Sequence, residues 1–186
     1  MSEASTLAPS GERSHQAVLL RSDRITAASA REEVRHLQFF TADPDFSGQP
    51  GACICVLAPG QFGAAHHGRL YSLVDVECGR EGTHFSLCVR RWHYIDEFNG
   101  QRYAGVASNF LCDLRPDERI DFVGPVSYPF SLPEDKAAPL LMIGMGTGIA
   151  PFRGLIRHLY EKAGRWLGPV RLFYGAQGGL DSLYMN

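Results

Sequence analysis

The chain has 186 residues, of which 45% are hydrophobic, enough for one packed domain and the beginning of another. Its formal net charge of −2 argues against a nucleic-acid partner, and no apolar run is long enough for membrane insertion. Five cysteines without a C-x-x-C pair favour neither a zinc site nor a disulfide framework. The first residues form no basic, apolar leader, so we expect a cytoplasmic protein.

Short strands dominate the first two thirds of the chain. Residues 1–15 are small and polar, and we expect them to be disordered. Residues 16–133 then predict strands at Gln16–Leu20, Glu33–Phe40, Ala52–Leu57, Arg69–Val76, Thr83–Trp92, Gln101–Val106 and Arg119–Val123. Asn99-Gly100 is typical of a hairpin turn. Many short strands at regular spacing predict an antiparallel barrel or sandwich.

The pattern changes after Pro133, where residues 133–136 predict a linker. Residues 137–186 predict a strand at Pro139–Ile143, a helix from Ile149 that ends at Gly164, a second strand at Val170–Tyr174 and a helix cap at Asp181. A strand–helix–strand order indicates a parallel α/β unit. A doubly wound sheet normally has about five or six strands, so we expect this second domain to be incomplete.

Arg69-Leu70-Tyr71-Ser72 lies on a predicted strand, where Arg69 and Tyr71 point to the same face. A guanidinium suits a phosphate, and a phenol ring packs well against a flat ring system. Ser72 adds a small hydroxyl where a bulky ligand needs room. The alternative is an ordinary surface strand with a tyrosine in a partial core.

Leu87-Cys88-Val89-Arg90-Arg91 ends another strand, and Tyr94 follows it. Two adjacent arginines suit a pyrophosphate, and a tyrosine ring suits stacking on an adenine. The alternative is a charged, solvated strand end.

Gly105 to Leu111 predicts a strand that runs into a short helix, with Ser108 as the N-cap. The free amides at such a helix start form a natural anion site. The alternative is a plain capped helix.

Gly144-Met145-Gly146-Thr147-Gly148 follows a strand and opens a helix, with Pro151 in the first turn. Exposed amides and the helix dipole suit a phosphate there. The spacing is neither G-x-G-x-x-G nor that of a nucleotide-hydrolysing P-loop. The alternative is a tight turn between strand and helix.

Together these segments resemble the plant-type ferredoxin–NADP(+) reductase family, from about Val18 to Asn186. The most specific pieces are Arg69-Leu70-Tyr71-Ser72, Cys88-Val89-Arg90, Ser108-Asn109-Phe110-Leu111 and Gly146 through Arg153. The resemblance implies a β + α/β protein, in which a six-stranded antiparallel FAD-binding barrel precedes an incomplete parallel α/β nucleotide-binding domain.

The resemblance also implies the roles of individual residues. The flavin would contact Arg69, Leu70, Tyr71 and Ser72, with Ser72 as the catalytic residue near the reactive flavin nitrogen. Cys88 and Val89 would line the cofactor, Tyr94 would cover the adenine, and the FAD pyrophosphate would lie on Val106, Ala107 and Ser108. The second nucleotide, NADP with NAD as a possibility, would contact Arg90, Gly146, Thr147, Gly148, Ala176 and Gln177.

The chain departs from the family pattern in three places. Ala107 stands where many members have a cysteine, and Ala176-Gln177 replaces a Val-Pro pair. The family's site for the NADP 2′-phosphate, a cysteine and a glutamate near the nicotinamide, and a C-terminal tyrosine would all come after Asn186.

The family resemblance favours a flavoenzyme that moves electrons between NADP(H) and a one-electron carrier, a ferredoxin or another small acidic protein. The first alternative is an FAD-binding module or fragment without turnover. The second is the reductase component of a multicomponent oxygenase, which differs only in its electron acceptor.

Overall fold

The computed structural model describes residues 13–127, 130, 132–162 and 166–185. Its strands are β1 (Ser14–Arg24), β2 (Val34–Thr41), β3 (Cys53–Pro59), β4 (His66–Cys78), β5 (Thr83–Arg90), β6 (His93–Ile95), β7 (Arg102–Ala104), β8 (Arg119–Ser127), β9 (Leu140–Met145) and β10 (Val170–Gly175). Its α-helices are α1 (Val106–Asp113) and α2 (Ala150–Arg157). Short 3₁₀ turns cover Gly146–Ile149 and Gly179–Asp181, and a π-helical turn covers His158–Lys162.

Six strands close into a barrel in the order β1-β2-β5-β4-β3-β8, and every neighbouring pair is antiparallel. The six-stranded antiparallel barrel predicted from the sequence is therefore confirmed. Closure pairs every barrel strand with two neighbours along part of its length. Two short strands outside the barrel, β6 and β7, form a separate hairpin whose turn contains Gly100 at φ +68°. This confirms the Asn99-Gly100 turn, although the return strand ends at Ala104 rather than Val106.

Alternation along the strands builds the barrel core. On β2, Leu37 and Phe39 are fully buried inside, as expected for side chains two residues apart on one face. Phe39 stacks on Phe85, and Phe122 packs edge-on against both Phe85 and Phe46, with ring centroids 5.0–5.4 Å apart. Such aromatic contacts add to the burial of apolar area, so this cluster contributes to barrel stability.

Helix α1 packs against one end of the barrel through its buried residues Ala107, Leu111 and Cys112. The N-cap of α1 is Gly105, so the prediction that Ser108 caps the helix is wrong. Ser108 lies inside the first turn, where its hydroxyl donates to the Gly105 carbonyl and accepts from the Trp92 amide. A serine hydroxyl at this position ties the helix to the preceding hairpin instead of capping it.

The last third of the described chain is an α/β unit, as predicted. Strands β9 and β10 are parallel, and α2 lies on one face of the pair. Between helix and sheet is a small apolar cluster formed by Met142, Leu155, Leu159 and Trp166. The opposite face is open, because Leu141, Ile143, Met145 and Phe173 are 59–79% exposed.

Asp181 ends a 3₁₀ turn rather than capping a helix, so that prediction is wrong. Gly164 as a helix end and most of the N-terminal 1–15 segment lie outside the described residues. The domain limits at residues 16–133 and 137–186 stay a prediction. Within the described ranges no helix has the length and apolar character that crossing a bilayer requires.

The α/β unit sits directly on the barrel, because α2 packs against β4. Gly154 makes this close approach possible: a Cβ atom there would lie 2.0 Å from the Val74 carbonyl oxygen. Around this contact Val74, Cys88, Ile149 and Ala150 form a shared apolar cluster. The start of α2 is therefore held against the outer surface of β4 and β5.

Candidate functional site

The barrel has a gap between β4 and β5. Strand β4 pairs with β3 from His66 to Ser72, and with β5 only from Leu73 to Cys78. The end of β5, Cys88–Arg90, pairs with β2. Within the described chain, Arg69–Ser72 and Cys88–Arg90 therefore face a gap that no strand fills. Unpaired backbone groups along such a gap are available to a ligand.

Two residues of Arg69–Ser72 turn toward solvent and two are half-buried. Arg69 and Leu70 are exposed, whereas Tyr71 packs against the barrel core. Burial raises the pKa of the Tyr71 hydroxyl, so this side chain stays neutral. The Ser72 hydroxyl lies 3.5 Å from the Cys53 sulfur. The strand thus presents a neutral ring and a small hydroxyl side by side.

On the other side of the gap, Cys88 and Val89 are buried. Val89 belongs to the barrel core, and the Cys88 thiol, whose pKa burial raises to about 11, lies in the cluster with Ile149 and Ala150. Their side chains are already enclosed by protein. A ligand in the gap would therefore meet the backbone of these two residues rather than their side chains.

Arg90 and Tyr94 are both accessible to solvent, and each packs on a neighbouring aromatic ring. The Arg90 guanidinium lies 4.3 Å above the Trp92 ring, and Tyr94 stacks on Tyr103 at 5.5 Å and 24°. Glu32 is 3.7 Å from Arg90. Arg90 stays 41% exposed and Tyr94 49%, which leaves both available to a ligand.

Arg91 has a different role from its neighbour. Its guanidinium donates to Glu33 at 2.9 Å and Asn109 at 3.2 Å, and it pairs with Asp113 at 2.8 Å. Burial disfavours this charge, but the hydrogen bonds to Asp113 and Glu33 outweigh it and raise the pKa of Arg91. Arg91 thus anchors α1 to the end of β5. Of the two arginines predicted to bind a pyrophosphate, only Arg90 stays accessible to a ligand, because Arg91 holds the fold together.

The N-terminus of α1 is available for an anion. Gly105 caps it without a side-chain hydrogen bond, and the first backbone bond within the helix comes from Asn109 to Gly105, at 3.1 Å. The amides of Val106, Ala107 and Ser108 precede that bond, so they have no acceptor within the helix. The partial positive charge of a helix start favours a phosphate at these three residues.

A second group of predicted residues lies at the carboxyl edge of β9 and β10. Gly175 is paired with Met145, so the turns that follow the two strands are neighbours. The first is Gly146–Gly148 and the second contains Ala176 and Gln177, both exposed. A Cβ atom on Gly146 or Gly148 would meet nothing within 4 Å, and Gly146 has φ +53°. Open space over exposed backbone at this edge suits a nucleotide phosphate.

The structure thus brings the predicted residues into two groups. The first consists of Arg69–Ser72, Cys88–Arg90, Tyr94 and Val106–Ser108. Its first two segments face the barrel gap. Arg90 lies over Trp92, whose amide donates to Ser108 at the start of α1, and the hairpin with Tyr94 begins directly after Trp92. The second consists of Gly146–Gly148 and Ala176-Gln177. The groups are joined by the contact of Ile149 and Ala150 with Cys88.

Sequence reasoning missed a polar cluster beside this junction. Asp75, on β4, binds Arg153 and Arg157 of α2, and Tyr184 near the end of the chain contacts His36. One signal was present for Asp75, a charged residue within the apolar run of β4. A buried charge in such a run needs a partner, but the sequence does not show which residue supplies it.

No family model matches the chain. It is 36% identical over 169 residues to the cyanelle ferredoxin–NADP reductase of Cyanophora paradoxa, covering 87% of this chain and 46% of that protein. It is 34% identical over 172 residues to the chloroplastic enzyme of Spinacia oleracea, covering 89% and 46%. The chain spans about half the length of these curated relatives.

Solved structures share the fold. Ferredoxin-NADP+ reductase from Plasmodium falciparum superimposes with a TM-score of 0.74 at 22% identity, covering 93% of this chain and 62% of that one. The same enzyme solved with 2'P-AMP gives 0.73 at 21% identity, covering 93% and 66%. The closed barrel and the parallel α/β unit are the fold of these solved structures, which agrees with the sequence similarity over most of the chain. Over the part that it spans, the chain belongs to the plant-type ferredoxin–NADP(+) reductase family.

Proposed function

We propose that this chain binds FAD in the barrel gap and takes part in electron transfer between NADP(H) and a one-electron carrier. One observation carries the proposal: two backbone sites that suit an anion lie next to the same pair of strands, β4 and β5. The start of α1 and the Gly146–Gly148 turn both adjoin the β4–β5 region. A dinucleotide flavin and a nicotinamide nucleotide need two such sites close together.

The residues around the gap fit FAD. A pyrophosphate carries negative charge. The start of α1, where no side chain bonds to the first amides, and the exposed Arg69 would stabilise that charge. A flat neutral ring system is complementary to the half-buried Tyr71, and an adenine to the accessible face of the Tyr94–Tyr103 stack. These complementary features support FAD as the ligand of the first group.

The second group fits the phosphates of NADP. Open backbone at Gly146 and Gly148 leaves room for a pyrophosphate, and Arg90 offers a cation toward it. The described residues do not discriminate between NADP and NAD. The names of the relatives favour NADP, and we extend that preference to this chain as part of the proposal.

When bound, FAD would supply the chemistry, because a flavin accepts a hydride from a nicotinamide and releases electrons singly. The chain would supply position and surroundings. Tyr71 would hold one face of the flavin and keep water from it. Ser72 would place its hydroxyl by the reacting atoms, where the nearby Cys53 thiol is its protein partner. The amides of Val106–Ser108 would fix the pyrophosphate.

The proposed acceptor is a small acidic protein such as a ferredoxin. Exposed arginines could dock such a protein: Arg91 and Arg153 are 19% and 30% exposed and held in internal ion pairs, whereas Arg90 is 41% exposed beside Glu32. Arg90 is therefore the residue on which we base this part of the proposal. The cytoplasmic location expected from the sequence stays a prediction.

The test is the absorbance of the purified full chain, followed by anaerobic addition of NADPH and then NADH. We expect a flavin spectrum that bleaches faster with NADPH. The Ser72→Ala variant should retain flavin but bleach about 10²-fold more slowly, since the positioned hydroxyl is lost. Ser14→Ala, on the exposed end of β1, is the matched control and should behave as wild type.

Each contrary result has a clear meaning. A flavin spectrum that no nicotinamide bleaches would favour a binding module without turnover. A colourless protein that fails to take up added FAD would overturn the barrel-gap assignment. Reoxidation of the NADPH-reduced flavin by an oxygenase component but not by a ferredoxin would favour the oxygenase alternative.

A further inference from the structure

We propose that Asp75 is a positioning residue that fixes both nucleotide-binding turns in register with the barrel gap. This rests on the proposed function, since it assigns a residue to that same site. Asp75 lies on β4 three residues beyond Ser72, about 10 Å along the strand. The strand that offers Ser72 to the flavin is therefore also the strand that holds α2.

The Asp75 cluster consists of this carboxylate and four side chains that contact it. Arg153 donates from one nitrogen to both carboxylate oxygens, at 2.6 and 2.7 Å, and Arg157 donates at 2.5 Å. Ser86 donates at 3.0 Å, and His36 lies 3.7 Å away. Three barrel strands and one helix thus meet at a single carboxylate that is 20% exposed.

The same cluster reaches the end of the described chain. The Arg153 guanidinium lies 4.8 Å over the Tyr184 ring, and the Tyr184 hydroxyl is 3.0 Å from His36. The contacts therefore form a ring: Asp75 binds Arg153, Arg153 lies over Tyr184, Tyr184 contacts His36, and His36 lies near Asp75. Tyr184 ends the segment that follows β10 and the Ala176-Gln177 turn, so the segment that leaves this second turn contacts the same cluster as α2.

The position of α2 decides where the Gly146–Gly148 turn lies, because the turn leads directly into the helix. Apolar contacts with Val74 and Cys88 also hold the helix, but they fix orientation poorly since they lack direction. Charged hydrogen bonds with planar groups are directional. Gly154 allows the close approach, and the Asp75 cluster selects one orientation within it.

The contacts of Asp75 are better suited to positioning α2 than to stabilising the fold. A part-buried ion pair contributes little net stability, because desolvation offsets much of the attraction. Hydride transfer, by contrast, depends steeply on the separation of donor and acceptor. A carboxylate that joins the flavin strand to both nucleotide turns would affect rate more than folding.

The test compares Asp75→Asn with Asp43→Asn in the full chain. Asp43 is the matched control: its carboxylate is 17% exposed and binds His15 at 2.8 Å, in a cluster that does not include α2. Both substitutions replace a mostly buried carboxylate with an amide of nearly the same size. Amide hydrogen exchange at residues 146–149 and 176–184 is the first measurement, and flavin bleaching by NADPH is the second.

We expect Asp75→Asn to exchange about tenfold faster at those two segments only, with flavin retained and bleaching slowed about tenfold. Asp43→Asn should change neither measurement. Equal exchange in the two variants, or faster exchange throughout the barrel in Asp75→Asn, would overturn the proposal. If Asp75→Asn fails to fold, Arg157→Gln removes one arm of the cluster and should give the same pattern more weakly.

The two measurements separate this proposal from the proposed function. A wild-type chain that NADPH does not bleach would contradict the proposed function. Selective exchange at the two turns would still establish the connection through Asp75 in that case. A chain that bleaches normally but exchanges alike in both variants would uphold the function and reject the positioning role.

Discussion

The barrel and the α/β unit bury their apolar surface in different ways. Six strands close on themselves around Phe39, Phe85 and Phe122, so apolar side chains fill the barrel interior. The two strands β9 and β10 bury one face against α2 and leave the other open. The barrel is thus stable by its own packing, whereas the α/β unit also depends on its contact with β4.

The largest expected effect is in the barrel core. Phe122→Ala would remove a fully buried ring that contacts Phe46, Phe85 and His15. We expect a loss of about 3–5 kcal/mol in the free energy of unfolding, because the closed core has little freedom to collapse into the cavity. Urea denaturation followed by far-UV circular dichroism measures it.

The control for this prediction is on the open face of the sheet. Ile143→Ser replaces a side chain that is 67% exposed, and it should change the free energy of unfolding by no more than about 0.5 kcal/mol. If both variants lost equal stability, the contrast between the two regions would be wrong.

A moderate effect is expected where the two regions meet. Gly154→Ala would place a Cβ atom 2.0 Å from the Val74 carbonyl oxygen, so α2 must move away from β4. We expect a loss of about 1–3 kcal/mol from overpacking, as well as weaker NADPH binding with flavin binding preserved. Gly179→Ala is the control, since a Cβ there meets nothing within 4 Å. Unchanged stability in Gly154→Ala would show that the contact is looser than described.

The smallest effect concerns pH at the same junction. Burial lowers the pKa of His36 from 6.5, although Asp75 opposes this and Arg153, Arg157 and Asp23 also act on the ring. Burial alone would raise the pKa of the Asp75 carboxyl, but the Arg153 and Arg157 guanidiniums and the Ser86 hydroxyl outweigh it and lower that pKa. In both cases the unfolded chain binds the proton more readily than the folded chain.

Stability should therefore fall as the pH is lowered, first below about 6.5 from His36 and then below about 4 from Asp75. The melting temperature between pH 8 and pH 3.5 measures this dependence. Asp75→Asn should lack the lower part of the decline. A melting temperature that rises on acidification would contradict both assignments.

The barrel was predictable from sequence because its evidence is local. Alternation in β2 and the Asn99-Gly100 turn each lie within a few residues. The same holds for the glycine-rich turn before α2. Ser108 was wrongly predicted as a cap, because its actual partner, the Trp92 amide, comes from the separate hairpin. Propensity at a helix start does not reveal such a competing contact.

The Asp75 cluster could not be predicted for a related reason. Its arginine partners are 78 and 82 residues away along the chain, and they become neighbours only after α2 docks on β4. The gap in the barrel was equally hidden. Strand positions were predicted from periodicity, but the change of partner at Leu73 depends on how the strands pair in three dimensions.

That change of partner also has a consequence for how a ligand enters. Because β4 bonds to β3 before Leu73 and to β5 after it, the gap is set by the strand pairing of the barrel itself. A cofactor can enter without breaking a single inter-strand hydrogen bond. Loading should then leave the strand exchange pattern of the empty protein almost unchanged, with uptake limited by diffusion and side-chain fit rather than by local unfolding.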